Sequence, residues 1–259
     1  MGINRGFIKE REIISILNKK IFKNLDSDYK IKIMEIFQEN TNLDDELTCY
    51  KKEGLGLEKK NDLTFAVKNK KINISVKIGS GNSLHQESIH SFINFLKSKR
   101  KLSQNLTDLI YEFHWCDGTF DNTGSFSNRK KRSEYKKKNY NRYTTYIDTL
   151  RNYKNEIFAR VMLGTVNQPD YLLYFEKFEN KIPHFIKMND LLNNHIAAER
   201  KEDHIGIFTL QNCNSCLKGQ DHGHKNHICY KSCPKIEPRT KKHRNDIQFK
   251  MIDIKSNIL

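Results

Sequence analysis

Two short alternating runs, residues 63–67 and 72–78, are joined by the polar residues 68–71 and constrain this chain more than any other stretch in it. In the first, Leu63, Phe65 and Val67 alternate with Asp62, Thr64 and Ala66. In the second, Ile72, Ile74, Val76 and Ile78 alternate with Asn73, Ser75 and Lys77. A period of two on either side of a polar turn predicts a β-hairpin. The same alternation puts Asp62 and Lys77 opposite the apolar rows, so that pairing brings the two polar faces together. After the turn formers at 79–81, Glu87 is expected to enter a helix. Ser83 and Gln86 stand there at capping-box spacing, and a capped helix N-terminus favours phosphate.

An acid and a lysine on neighbouring strands are parts of a phosphodiesterase site. Hydrolysis of a phosphodiester calls for a hard divalent cation on carboxylate oxygens, which polarises the phosphoryl group and lowers the pKa of an attacking water. A lysine beside it orients that water or offsets charge developing on the phosphate. The plainer reading of the same two residues is a cross-strand ion pair on an exposed sheet face. Glu35, Glu39 and Glu46, on or after the N-terminal helices, read as solvated carboxylates.

Asp62 followed on the next strand by Ser75-Val76-Lys77 resembles the PD-(D/E)xK nuclease pattern, in which an acid two positions before the lysine is also a metal ligand. The sequence departs from it twice, with Asn61 where proline is usual and Ser75 where Asp or Glu is expected. Some members take the second carboxylate from a following helix, which makes Glu87 the substitute. SVKIGSGNSLHQE, with the later HWCDGTFDNTG, is also similar to a family of bacterial type II restriction endonucleases. The resemblance implies an α/β, restriction-endonuclease-like mixed sheet flanked by helices and Mg²⁺-dependent cleavage of double-stranded DNA at a specific site. Asp62 and Glu87 would hold Mg²⁺, Lys77 would assist the water, and His85 and Gln86 would support the ligands or touch phosphate. A homodimer suits a palindromic target, and a cognate DNA methyltransferase is a possible partner in such a system.

Charge points the same way. The chain of 259 residues carries 46 Lys and Arg against 31 Asp and Glu, a net charge of +15, and so attracts polyanions. The excess is clustered: residues 129–142, RKKRSEYKKKNYNR, hold eight cations against one Glu, with Tyr135 and Tyr140 interleaved. Arg129, Lys130, Lys131 and Arg132 are candidate DNA contacts by charge, as are Arg239, Lys241, Lys242 and Arg244 near the C-terminus. No apolar run is long enough to span a bilayer, and residues 1–6 hold no apolar signal core, so a cytoplasmic protein without a membrane partner is expected.

Six cysteines occur, and four fall in one window as Cys213-x-x-Cys216 and Cys229-x-x-x-Cys233. Paired thiols of this spacing are what one tetrahedral Zn²⁺ collects, with His222, His224 or His227 as possible replacements. Four thiolates leave no open position for water, so the zinc would be structural. The cluster lies between two β-like runs, 205–211 and 246–252, which predicts a zinc-bound insertion over 212–238 within a single nuclease domain spanning 1–259. The competing function is a non-catalytic zinc protein that binds DNA or RNA.

The remaining elements follow from periodicity. Helices are expected over 8–17 and 29–37, the second capped by Asp26 or Ser27, and again over 88–96, 102–113 and 147–163. A second hairpin, 171–178 with 182–188, should extend the sheet, and Pro183 places its second strand at an edge. A short helix capped by Asn189 or Asp190 follows it. The loop HWCDGTFDNTG is expected to be a tight structural turn.

Overall fold

The computed structural model describes residues 5–38, 41–51, 60–79, 83–121, 123, 130, 132–198, 203–212 and 246–251. In chain order these form α1 (Arg5–Leu17), β1 (Lys20–Ile21), α2 (Ser27–Phe37), β2 (Glu46–Tyr50), β3 (Leu63–Val67), β4 (Lys70–Ile78), β5 (Ser83–Ser88), α3 (Ile89–Lys99), α4 (Gln104–Trp115), α5 (Arg132–Lys138), α6 (Tyr140–Arg151), α7 (Lys154–Phe158), β6 (Tyr171–Phe175), β7 (His184–Lys187), α8 (Met188–Ala197), β8 (His204–Ile205), β9 (Phe208–Asn212) and β10 (Asp246–Met251). Their contacts group them into two compact units, 1–82 with 157–197 and 253–259, and 83–156 with 198–252. Where the sequence suggests one domain, the chain thus leaves the first unit after β4 and re-enters it at Ile157.

The first unit is a mixed sheet flanked by helices. Its six strands run in the order β1-β2-β3-β4-β6-β7, antiparallel at every junction except β4 with β6, which is parallel. The predicted hairpin is present in register, Leu63 opposite Ile74 and Val67 opposite Lys70. Lys68 takes a left-handed conformation (φ 51°) at its tip. The apolar rows Leu63, Phe65, Val67 and Ile72, Ile74, Val76, Ile78 pack with Leu173 and Phe175 of β6 against Ile13 and Leu17 of α1 and Tyr29, Ile33, Ile36 and Phe37 of α2. Helix α2 starts on Asp26, whose carboxylate accepts from the Asp28 amide.

The second predicted hairpin also forms, and β7, which follows Pro183, lies at the sheet edge as expected. Two strands were not legible beforehand. LTCY in β2 is a short run with one charge before it, and β1 is only two residues long. Both gain their hydrogen bonds from the sheet rather than from any strong local pattern.

The second unit pairs β5-β10-β9-β8 as an antiparallel sheet, with α3, α4, α5 and α6 among its helices. Strands β9 and β10 pair from Asn212 opposite Ile247 to Phe208 opposite Met251. The insertion that separates them in sequence therefore leaves and returns at adjacent positions, between two strands as expected. Residues 213–245, with Cys213, Cys216, Cys229, Cys233, His222, His224, His227, Arg239, Lys241, Lys242 and Arg244, lie outside the described residues. Cys49 and Cys116 are both buried free thiols, and burial pushes the Cys49 thiol up to about 12, so it is an inert core residue.

Three expectations are corrected here. The stretch SLHQES is not a helix entrance but strand β5, paired with β10. The helix begins at Ile89, and its cap is Ser88, whose hydroxyl accepts from the Ser91 amide, rather than Ser83. The physical reason is that β10 supplies a ladder for these backbone groups, which local capping cannot match. The expected helix over 147–163 is broken at residues 152–153 into α6 and α7, followed by a π-helical turn, Ala159–Leu163. The basic run after Arg132 is helical, forming α5 and the start of α6.

Candidate active site

Asp62 is held by backbone before any side chain acts on it. It sits one residue ahead of the Leu63–Ile74 pair, its amide donating to the Ile74 carbonyl at 2.8 Å. Its Oδ2 accepts from the Val76 amide at 2.7 Å and from the Ser75 hydroxyl at 3.1 Å, and Lys77 Nζ stands 3.7 Å away. All three of these contacts converge on Oδ2. Both departures from the nuclease pattern thereby acquire roles. Ser75 is buried and buttresses Asp62 instead of supplying a carboxylate. Asn61, also buried, donates from Nδ2 to Asn73 Oδ1 at 3.0 Å and accepts from the Ile74 amide at 3.3 Å, which ties the chain ahead of Asp62 to β4.

A second carboxylate comes from a residue with no part in the sequence pattern. Glu10, on α1, is 6 % exposed, and its Oε2 accepts from Lys51 Nζ at 2.6 Å. Burial raises its carboxyl above the ordinary range. The Lys51 hydrogen bond opposes that shift, the negative charge of Asp62 adds to it, and Lys77 counts against it. Glu10 thus shares an electrostatic environment with both Asp62 and Lys77. A signal was available in the sequence, because Glu10 stands in register with Ile13 and Leu17, a carboxylate on the apolar side of an amphipathic helix.

Helix α1 is fixed in place by the neighbouring Lys9, which is 2 % exposed. Its Nζ pairs with Glu12 at 2.8 Å, donates to the Asn180 carbonyl at 3.1 Å, and lies 4.8 Å and 5.2 Å from the ring centroids of Phe175 and Phe178. A hydrogen bond from Tyr29 to the Lys181 carbonyl, 2.7 Å, ties α2 to the same β6–β7 connection.

Asp62 and Glu10 are the carboxylates that could serve a hard divalent cation. Mg²⁺ is commonly held by one or two carboxylates, with waters and substrate phosphate filling the remaining positions. The charge of Asp62 helps raise the Glu10 carboxyl, a repulsion that a bound cation would relieve. Among the described residues, no group of three or more His, Cys, Asp or Glu is arranged around a common centre.

The other predicted site residues lie in the second unit. Glu87 is in β5 with its side chain 1 % exposed, and its Oε1 is 2.9 Å from His85 Nε2. His85 stacks against Phe249. Gln86, on the opposite face of the strand, accepts from Gln248 Nε2 at 2.8 Å across the β5–β10 pair. Lys130 is exposed, its amide bonded to the Cys116 carbonyl at 2.7 Å. Arg132 is the first residue of α5, and Arg129 and Lys131 are outside the described residues.

Part of the basic run is structural. Arg142 donates to both oxygens of the buried Glu112, which also accepts from Tyr135 at 2.8 Å, and Lys136 pairs with Asp203 at 2.9 Å. His114 and Trp115 end α4, and the described residues that follow them, 116–121 and 123, turn tightly. Cys116 is left-handed (φ 54°), Asp117 accepts from the amide and hydroxyl of Thr119, and Asp121 does the same for Thr123. No helix among the described residues is long and apolar enough to cross a membrane. No protein-family model matches the chain, and no curated protein matches it in sequence.

Proposed function

We propose that the first unit is a Mg²⁺-dependent phosphodiesterase acting on DNA, of the PD-(D/E)xK kind, and that the protein is a type II restriction endonuclease working in the cytoplasm. The observation that carries this reading is the pairing of Asp62 with Lys77, 3.7 Å apart, with the buried Glu10 carboxyl of α1 within electrostatic reach of both. A divalent cation bound there would polarise the scissile phosphoryl group. The chain's own residues do the rest. Asp62 and Glu10 hold the cation, Ser75 and the Val76 amide orient Asp62, and Lys77 aligns the attacking water or meets charge on the phosphate. A module that only binds nucleic acid has no need of a buried carboxyl on α1 that senses the charges of Asp62 and Lys77.

Glu87 was the expected second ligand. Glu10, whose carboxyl feels the charge of Asp62, takes that role here, and Glu87 is instead the partner of His85. The cysteine cluster is proposed to bind one structural Zn²⁺ as a loop closed by β9 and β10. The substrate is double-stranded DNA, attracted by the net charge of +15. A homodimer and a cognate methyltransferase complete the proposed system.

Digestion of a DNA of known sequence with Mg²⁺, followed by mapping of the ends, tests the reading. Discrete ends from the wild-type protein, lost in Asp62→Ala and Lys77→Ala, are expected. Equal cleavage by these variants contradicts it.

A further inference from the structure

A single exposed phenylalanine on a helix needs no explanation. Phe7 of α1 is different because of what sits on it. Its side chain is 54 % exposed, and Lys51 Nζ lies 4.5 Å from its ring centroid. That same nitrogen is 2.6 Å from Glu10 Oε2. Ring and carboxylate are therefore no further apart than those two distances laid end to end. Phe7 also precedes Glu10 by three residues, on the same side of the helix. Aromatic ring, ammonium and carboxylate form one continuous strip in the first unit, and the last member shares the electrostatic environment of Asp62 and Lys77. The Lys51 side chain is 49 % exposed and has donors to spare beyond the Glu10 bond.

We propose that Phe7 and Lys51 form a nucleotide subsite beside Glu10, the ring stacking an unpaired base of the strand to be cut and the ammonium holding the adjoining phosphate. The subsite rests on the phosphodiesterase reading of Asp62, Lys77 and Glu10, and it specifies what that site accepts. A base within a continuous duplex is stacked on both faces and offers none to a protein ring. Only a nucleotide that is single-stranded, overhanging or extruded from the helix can occupy Phe7, and stacking of this type is tolerant of base identity. The site therefore favours DNA with an unstacked nucleotide next to the scissile phosphate.

The test is binding, measured apart from cleavage. Fluorescence anisotropy without added Mg²⁺ compares a labelled thymidine oligonucleotide, an abasic deoxyribose-phosphate oligomer of equal length and a blunt duplex. The wild-type protein should bind the thymidine strand about ten-fold more tightly than the abasic one, the size of one base on one aromatic platform. Phe7→Ala should lose that preference and leave abasic binding unchanged. Phe7→Trp should keep it, with indole emission quenched by the thymidine strand and not by the abasic oligomer. Lys51→Ala should weaken both oligomers alike. Preference undiminished in Phe7→Ala overturns the subsite, as does a Phe7→Ala protein whose only change is loss of self-association in sedimentation, which would make the ring a contact between copies. Asp62→Asn separates the two claims. It should abolish cleavage and retain base preference. Preference without any wild-type cleavage would remove the phosphodiesterase reading alone, and cleavage without preference would remove the subsite alone.

Discussion

At the scale of single residues, Glu10 holds the account together. Its carboxyl is raised by burial and by Asp62, so its folded pKa lies above its unfolded one. The stability it contributes is complete below the unfolded value and is lost as pH rises through the folded value. At neutral pH an ionised Glu10 therefore strains the fold. Glu10→Gln should reduce Mg²⁺-dependent cleavage at least 100-fold yet melt no lower than wild type near pH 7, a separation typical of a functional group held against its preference. A scan of melting temperature against pH checks the sign, because the wild-type disadvantage relative to Glu10→Gln should shrink as pH falls towards 4.5. Glu87→Gln is the companion variant. With His85 as its partner it should lose stability and retain the turnover of whatever protein remains folded. Ser75→Ala, which removes one donor to Asp62, should cost about 1 kcal/mol in denaturant unfolding.

At the scale of elements, the hairpin of β3 and β4 was readable because its residues alternate over enough length to fix a face. With the face fixed, Asp62 and Lys77 had to meet. The edge position of β7 was readable from Pro183, and the cap of α2 from Asp26. What escaped was set by partners distant in sequence. Strand β5 resembles a capped helix start locally and becomes a strand because β10, over 150 residues further on, pairs with it. Glu10 could be seen as an oddity on an apolar helix face, but only the fold shows that Lys51 pairs with it and that the charge of Asp62 reaches it.

The same packing yields a prediction for Lys9, whose ammonium is enclosed by Phe175, Phe178, Glu12 and the Asn180 carbonyl. Lys9→Met keeps the stem and deletes the charge. It should destabilise by about 2 kcal/mol, less than for a fully enclosed pair because Glu12 reaches solvent. Cleavage should fall with the stability of α1, since Glu10 is the next residue.

At the scale of the whole molecule, the charge is divided between work and structure. Arg142 and Lys136 are committed to ion pairs with Glu112 and Asp203, whereas the exposed Lys137 and Lys138 show no such pair among the described residues. Affinity for DNA should fall steeply with salt. Lys137→Ala with Lys138→Ala should flatten the slope of log affinity against log salt by about two, whereas Arg142→Ala should act mainly on stability. The β9–β10 pair closes the cysteine loop, so a Zn²⁺ bound there would reinforce the second unit. About one equivalent per chain is expected by metal analysis, and removal by chelator should lower melting without touching Asp62 or Glu10.

Whether Asp62 and Glu10 act as a pair on a metal-dependent reaction is read from plasmid cleavage with Mg²⁺ by wild type, Asp62→Asn, Glu10→Gln and the double variant. Wild type should cleave, each single variant should lose at least 100-fold, and the double variant should be little worse than either, as for groups that serve one site. Wild-type rates in Glu10→Gln, or no cleavage by the wild-type protein on any DNA, would contradict that pairing.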